Sequence, residues 1–249
     1  MIRFTVKLAG RAIEVTALYE ATRQACGDFL CGGPGELSVA ITEADLAFEK
    51  EKSAREARIE GLPEPDFGPE TLELTALLRA VTEKLFAYDT LLFHGSAICV
   101  DGEVYLFTAK SGTGKSTHTR LWRQLLGSRA VTVNDDKPFL RLGAEEVTVC
   151  GNPWNGKHGL GCNMQAPLRA ICILERGTEN RICRIPAKEA LRLLLQQSSR
   201  PRSPALLPKY MELIDALSGA VAFYRLQCNM EPSAAKVAYE AMSGKELNL

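Results

Sequence analysis

The sequence predicts an α/β fold in which a phosphate-binding loop joins a strand to a helix, with a small α+β segment ahead of it. Three observations carry that reading. Short β-type runs alternate with longer helical patterns over most of the chain. The apolar run Val104-Tyr105-Leu106-Phe107 leads into the Gly-rich segment Ala109–Ser116, which opens a helical pattern. Gly61–Pro69 holds three prolines and two glycines, the strongest linker signal in the chain. Residues 1–65 are therefore expected to form the small segment, and residues 66–249 the nucleotide-binding domain.

Taken in order, residues 2–7 and 12–16 alternate polar and apolar as two short strands joined by a turn at Ala9-Gly10-Arg11. A helix is expected near 18–26, a strand over Leu37–Ile41, and a charged, peripheral helix over 42–59 with Thr42 at its cap. Apolar residues at helical spacing (Leu72, Leu74, Leu77, Leu78, Val81, Leu85) predict a core-facing helix over Thr71–Tyr88. Strand-like runs follow at Leu91–Val100 and Glu103–Thr108, joined by the hairpin signal Asp101-Gly102. After the Gly-rich segment and a helix to Leu126, strands are expected near Ala130–Val133, Phe139–Leu142, Val147–Cys150, Ala170–Leu174 and Ile182–Ile185. The end reads as helix (Lys188–Gln197), basic loop, helix (Lys209–Leu217), strand (Val221–Leu226) and helix (Ser233–Met242).

Composition removes several classes of function. The 249 residues carry 30 Lys plus Arg and 30 Asp plus Glu, so net charge favours neither nucleic acid nor an anionic membrane as partner. The opening Met1–Leu8 alternates like a strand and lacks the apolar core of a signal peptide. No run approaches the roughly 18 apolar residues of a membrane span. The eight cysteines include no CxxC pair and sit mostly within apolar runs, which suits reduced, buried thiols. A soluble, cytoplasmic protein is expected.

Ala109-Lys110-Ser111-Gly112-Thr113-Gly114-Lys115-Ser116 matches the pattern G-x-x-x-x-G-K-[ST] except for Ala at the first position. Between a strand and a helix, such a loop aims backbone N–H groups and a helix N-terminus at an anion. Ser111, Gly112, Thr113, Gly114, Lys115, Ser116 and Thr117 are thus the expected binding residues for ATP or GTP. Lys115 lies against the β- and γ-phosphates in this scheme, and the Ser116 hydroxyl meets Mg²⁺. Asp135 and Asp136 end the next β-type run, where two carboxylates can divide metal binding and proton acceptance between them. A solvated turn before Pro138 is the plainer alternative for the pair.

The order His94-Gly95-Ser96-Ala97, then Ser111–Ser116, then Asn134-Asp135-Asp136 resembles the HPr kinase/phosphorylase family. It also resembles ATP-dependent phosphoenolpyruvate carboxykinase, which shares the nucleotide-binding fold. The resemblance is firm over about residues 90–140 and loose beyond, and residues 1–65 match neither family. It implies a mixed β core with the loop at one edge, a general base at Asp135, a Mg²⁺ ligand at Asp136, and His94 beside the phosphates or metal. Two departures stand out. Thr117 follows the loop serine where HPr kinases usually carry Glu, and no counterpart of the carboxykinase Arg-rich oxaloacetate site is found.

Gly151–Gly159 is rich in turn formers yet holds Trp154, Lys157 and His158. Such a loop can bring a cation over phosphates, and Lys157 is its expected site residue; a structural loop with its Trp packed down is the alternative. Arg120 and Arg123 in the loop helix are expected at the surface or core edge, with substrate contact the lesser alternative, and Ser199–Pro204 reads as a basic, solvated connection, with contact to an acidic peptide the lesser alternative. The function expected is a kinase acting on a hydroxyl of a protein, a peptide or a small molecule, with His94, Lys115, Asp135 and Lys157 catalytic. A nucleotide-binding regulatory or assembly module and a carboxykinase-like enzyme stay open beside it. A homo-oligomer is compatible with each.

Overall fold

Ala9 and Gly10 both take positive φ (49° and 84°), and the tight turn they make folds β1 (Ile2–Leu8) onto β2 (Arg11–Ala17) in full antiparallel register. The computed structural model describes residues 1–247, with Lys157 described by its backbone alone. The chain divides into two units, Met1–Leu85 and Phe86–Leu249.

In the first unit, α1 (Glu20–Ala25) is followed by β3 (Leu30–Cys31) and β4 (Leu37–Ala40), giving a sheet ordered β3-β1-β2-β4. Alternation in β2 buries Ile13, Val15 and Ala17 on one face. A Thr42–Asp45 capping box starts α2 (Glu43–Glu60), and left-handed Gly61 stops it. The helix α3 (Pro69–Leu85) belongs to this unit, not to the second one as its sequence position suggested. Two ionic side chains explain the difference. Glu73, wholly buried, accepts hydrogen bonds from the Leu18 and Tyr19 amides and the Thr22 hydroxyl. Arg79 bonds Glu49 and Asp45 of α2. A buried carboxylate without such partners costs several kcal/mol, so α3 is tied to the residues that neutralise and solvate it.

The second unit begins with β5 (Thr90–Leu92), β6 (Ser96–Val100) and β7 (Glu103–Thr108), the last two joined through Asp101 and Gly102 at φ 52° and 86°. Then come α4 (Lys115–Leu126), β8 (Ala130–Asn134), β9 (Phe139–Leu142), β10 (Val147–Cys150) and the twelve-residue β11 (Gln165–Arg176). The chain continues through β12 (Arg181–Ile185), α5 (Ala187–Gln197), α6 (Leu207–Ala220), β13 (Ala222–Cys228) and α7 (Pro232–Ser243). The sheet runs β5-β9-β10-β11-β7-β6-β8, with β13 on β11 and β12 on β13. It is mixed: β11 is parallel to β7 and β13, while the other pairs are antiparallel.

Apolar layers cover both faces of the central strands. Val104 and Leu106 of β7 join the cluster that includes Leu194 of α5 and Ile214 of α6. Tyr105 and Phe107 join Trp122 of α4 and Tyr239 of α7 on the opposite face. A strand buried on both faces needs an unbroken apolar run, which is how residues 104–107 read in the sequence.

One expected element is divided. Leu91–Val100 is two strands, because β5 pairs with β9 while β6 pairs with β7 and β8. The crossing between them is fixed by three amides: Phe93 donates to Pro138 O, His94 to Gln197 O and Gly95 to Asp136 O, at 3.1, 2.7 and 2.9 Å. His94 therefore sits in a connection and not on a strand.

Candidate functional site

β7 ends at Thr108, and the chain wraps through 109–114 before α4 begins at Lys115. Gly112 (φ 73°) and Gly114 (φ 120°) hold backbone conformations that side-chain-bearing residues rarely adopt, so this path needs glycine there. No side chain caps α4 at Gly114. The first-turn N–H groups keep their donors for an anion. The Lys115 ammonium folds back on the start of the loop, 3.3 Å from the Ala109 carbonyl, and is 8% exposed. Burial pushes its pKa down, against the opposing pull of Asp136 and Asp135.

A cavity of about 560 Å³ opens over this loop. His94, Ser111, Gly112, Gly114, Lys115, Ser116, Thr117, Asp135 and Asp136 all line it, so most of the site residues expected from sequence converge here. Thr113 lines the neighbouring cavity instead. Lys157 belongs by its backbone to the 3₁₀ turn Gly156–His158, and its side chain lies outside the described residues. Its neighbours Gly156 and His158 line the cavity.

Asp135 is 6% exposed and held from behind. The Ser96 hydroxyl donates to its Oδ1, and the Thr119 hydroxyl, 3.0 Å from Ser96 Oγ, reaches the same oxygen at 3.5 Å. Among the described residues every hydrogen bond to this carboxylate goes to Oδ1, which leaves Oδ2 for a ligand. Asp136 is more open, with Oδ1 3.6 Å from His94 Nε2 and Oδ2 3.4 Å from Lys137 Nζ. His94 Nδ1 lies 2.6 Å from Gln197 Oε1, which fixes the ring with Nε2 turned toward Asp136. Burial, with Lys115 nearby, lowers the His94 pKa; Asp136 and the Gln197 bond act the other way.

Sequence reasoning missed the group that fixes this corner. Asn134, fully buried at the end of β8, accepts from the Asp136 and Lys137 amides at 2.9 and 2.7 Å. Its Nδ2 donates into the second loop, to Asn152 Oδ1 at 3.0 Å and Asn155 Oδ1 at 2.9 Å. Asn152 Nδ2 in turn donates to Lys137 O at 2.6 Å. One amide thus binds the Asp135–Asp136 turn to Gly151–Gly159. Gly156 closes the contact: it has φ 66°, and a Cβ there would meet Asp136 Cβ at 3.0 Å. The density of Asn and Gly in the loop was the available signal; Gln197, more than a hundred residues from His94, gave none.

On the other flank of the loop a cavity of about 520 Å³ lies between α4 and the ends of β11 and β13. Leu121, Leu174, Cys228 and Met230 give it apolar walls, and Arg176 donates to the Gly112 carbonyl at 2.5 Å. His118, also lining it, accepts from Trp122 Nε1 at 3.1 Å, and its Nδ1 is buried without a partner among the described residues. Burial lowers its pKa to about 3.

The chemistry of the donor set suits Mg²⁺. Among the described residues no three His, Cys, Asp or Glu side chains are grouped to hold a metal by themselves. Mg²⁺ bound with nucleotide phosphates needs only one or two carboxylates and keeps water for the rest. Ser116 with Asp135 and Asp136 meets that requirement. All eight cysteines are free, and no helix among the described residues is long and apolar enough to cross a membrane.

Comparison with known proteins adds little to this geometry. No family model matches the chain, and no curated protein matches it. Among solved structures, it is similar to the Hpr(Ser) kinase/phosphatase from Coxiella burnetii over 61% of this chain and 97% of that one. The identity is 10% and the TM-score 0.37, a likeness that assigns neither family nor activity.

Proposed function

We propose that this chain is a Mg²⁺-dependent kinase, resembling HPr kinase in the order of its motifs, that transfers the γ-phosphoryl group of ATP or GTP to a hydroxyl. The observation that carries the proposal is the convergence of Lys115, Ser116, Asp135 and Asp136 on one cavity over a Gly-rich strand-to-helix loop. A plain structural turn needs no buried lysine aimed along the loop and no carboxylate pair facing it.

In this reading the 112–117 amides and Lys115 hold the triphosphate and neutralise charge on its γ-oxygens. Ser116 and Asp136 would hold Mg²⁺, which would supply neutralisation of phosphate charge. The nucleoside takes the apolar flank beside Leu174 and Met230. Asp135, through Oδ2, receives the acceptor's hydroxyl proton as the acceptor oxygen bonds to the γ-phosphorus. The bond from that phosphorus to the bridging oxygen breaks, and nucleoside diphosphate leaves. His94, whose pKa burial lowers, lines the same cavity beside Asp136 and adds polarity there. The acceptor is a Ser of a protein or peptide, or a small hydroxyl compound.

Thermal unfolding with Mg²⁺ and ATP, GTP or ADP tests the nucleotide site directly. A nucleotide at a hundred-fold excess over its Kd adds about 2.7 kcal/mol of stability. That gain should vanish in Lys115→Ala. An unmoved midpoint in the wild-type chain with every nucleotide would refute the reading.

A further inference from the structure

A smaller recess of about 130 Å³ continues from the acidic cavity, sharing Ser116, Thr117 and His158 with it. Its other walls are Arg120, Arg123 and Leu160. Ser116, Arg120 and Arg123 follow one another at i, i+4 and i+7 on α4, so they share one face of the helix. Helical rise puts the two arginines about 6 and 10 Å along the axis beyond Ser116. His158 and Leu160 face them from the loop that Asn134 anchors.

The two arginines differ from those of this unit that pair with carboxylates. Arg129 pairs with Asp101, Arg225 with Glu175 and Glu189, and Arg169 with Glu103. Among the described residues neither Arg120 nor Arg123 has a carboxylate partner, and none of the residues lining the recess is acidic. Arg123 Nε is moreover buried with no hydrogen-bond partner. Leaving a buried donor unsatisfied is unfavourable, a cost that a ligand oxyanion would remove. Guanidinium groups present planar, forked donors matched to carboxylate and phosphate oxygens.

We infer that Arg120 and Arg123, with His158 opposite, form a binding subsite for an oxyanion carried by the phosphoryl acceptor. The acceptor class is therefore a hydroxyl compound that also bears a phosphate or carboxylate. The inference rests on the kinase reading for the word acceptor, but the anion site itself does not depend on it.

The test titrates inorganic phosphate, and separately acetate, into the full chain preloaded with Mg²⁺ and a non-hydrolysable ATP analogue, which fills the phosphate cradle. One of the two anions should bind saturably, and which one binds distinguishes a phosphorylated from a carboxylated acceptor. Arg120→Gln/Arg123→Gln should weaken that binding by roughly ten-fold or more, the scale of one charge-assisted hydrogen bond lost, with analogue affinity unchanged. No saturable binding of either anion, or binding indifferent to the double substitution, overturns the subsite. Failure of the analogue to bind overturns the nucleotide reading instead. Phosphate is then titrated into the chain alone, and the same contrast between wild type and double variant decides the subsite.

Discussion

The two flanks of the 109–116 loop share a helix and differ in almost everything else. On the Asp135–Asp136 side the walls are carboxylates, hydroxyls, His94 and the buried lysine. On the β11–β13 side they are Leu121, Leu174, Cys228 and Met230 around a histidine that burial keeps unprotonated. The helix face decides which residue serves which flank. Ser116 and Arg120 look one way, and His118 and Leu121 look the other. A polar flank excludes little and positions charge; an apolar flank gains by covering a flat, weakly polar group. The comparison teaches that reacting groups and recognition of the nucleoside are separable here, so variants on one side should spare the other.

The sharpest way to break that separation is Asp135→Asn, which keeps shape and one oxygen acceptor but removes the base. Phosphoryl transfer, measured as kcat, should fall by roughly 10²- to 10⁴-fold, while nucleotide affinity by calorimetry stays close to wild type. Unchanged kcat would remove Asp135 from the proton-accepting role and leave the acidic flank a metal site only.

A second, smaller effect belongs to the other flank. The folded chain keeps His118 neutral down to about pH 3, whereas the unfolded chain takes up that proton near the ordinary value of 6.5. Between those values the unfolded state binds more protons, so stability falls as pH falls. The slope contributed is up to about 1.4 kcal/mol per pH unit. Unfolding free energies from about pH 6 to 4 should fall less steeply in His118→Gln; an identical slope would assign the acid sensitivity to other groups such as His94, whose pKa is lowered as well.

The smallest effect sharpens the comparison at its outer edge. Met230 is 78% exposed at the rim of the apolar cavity. Met230→Glu should raise KM for the nucleotide by roughly three- to ten-fold, less than about 1.4 kcal/mol, with kcat unchanged. A loss in kcat instead would show that the two flanks communicate.

Much of this arrangement was legible in the chain because it depends on local pattern. The limits of β7, β9 and β10 match the alternation and turn residues of their segments, and the loop residues from Ser111 to Thr117 border the cavities. What was not legible depends on partners far away in sequence. The unit boundary at Leu85 follows from Glu73 meeting the 18–22 turn and Arg79 meeting α2. The division of Leu91–Val100 follows from amide bonds to Pro138, Gln197 and Asp136. Asn134 enters the sequence only as the neighbour of two aspartates in a motif, and the folded chain reveals it as the joint between the carboxylate corner and the second loop. The 120–123 arginines were assigned to surface or core edge for the same reason: their significance lies in what faces them.

The chain has two tryptophans, and they fall one to each flank. Trp122 is wholly buried and hydrogen-bonded to His118, and Trp154 packs edge-on against Phe139 with its carbonyl held by Asn134. Each indole is thus a built-in optical reporter for a different half of the molecule's work. With Trp154→Phe the emission spectrum follows the nucleoside flank, and with Trp122→Phe it follows the carboxylate corner, so the order in which the two halves respond to a nucleotide can be read in real time without attaching any dye.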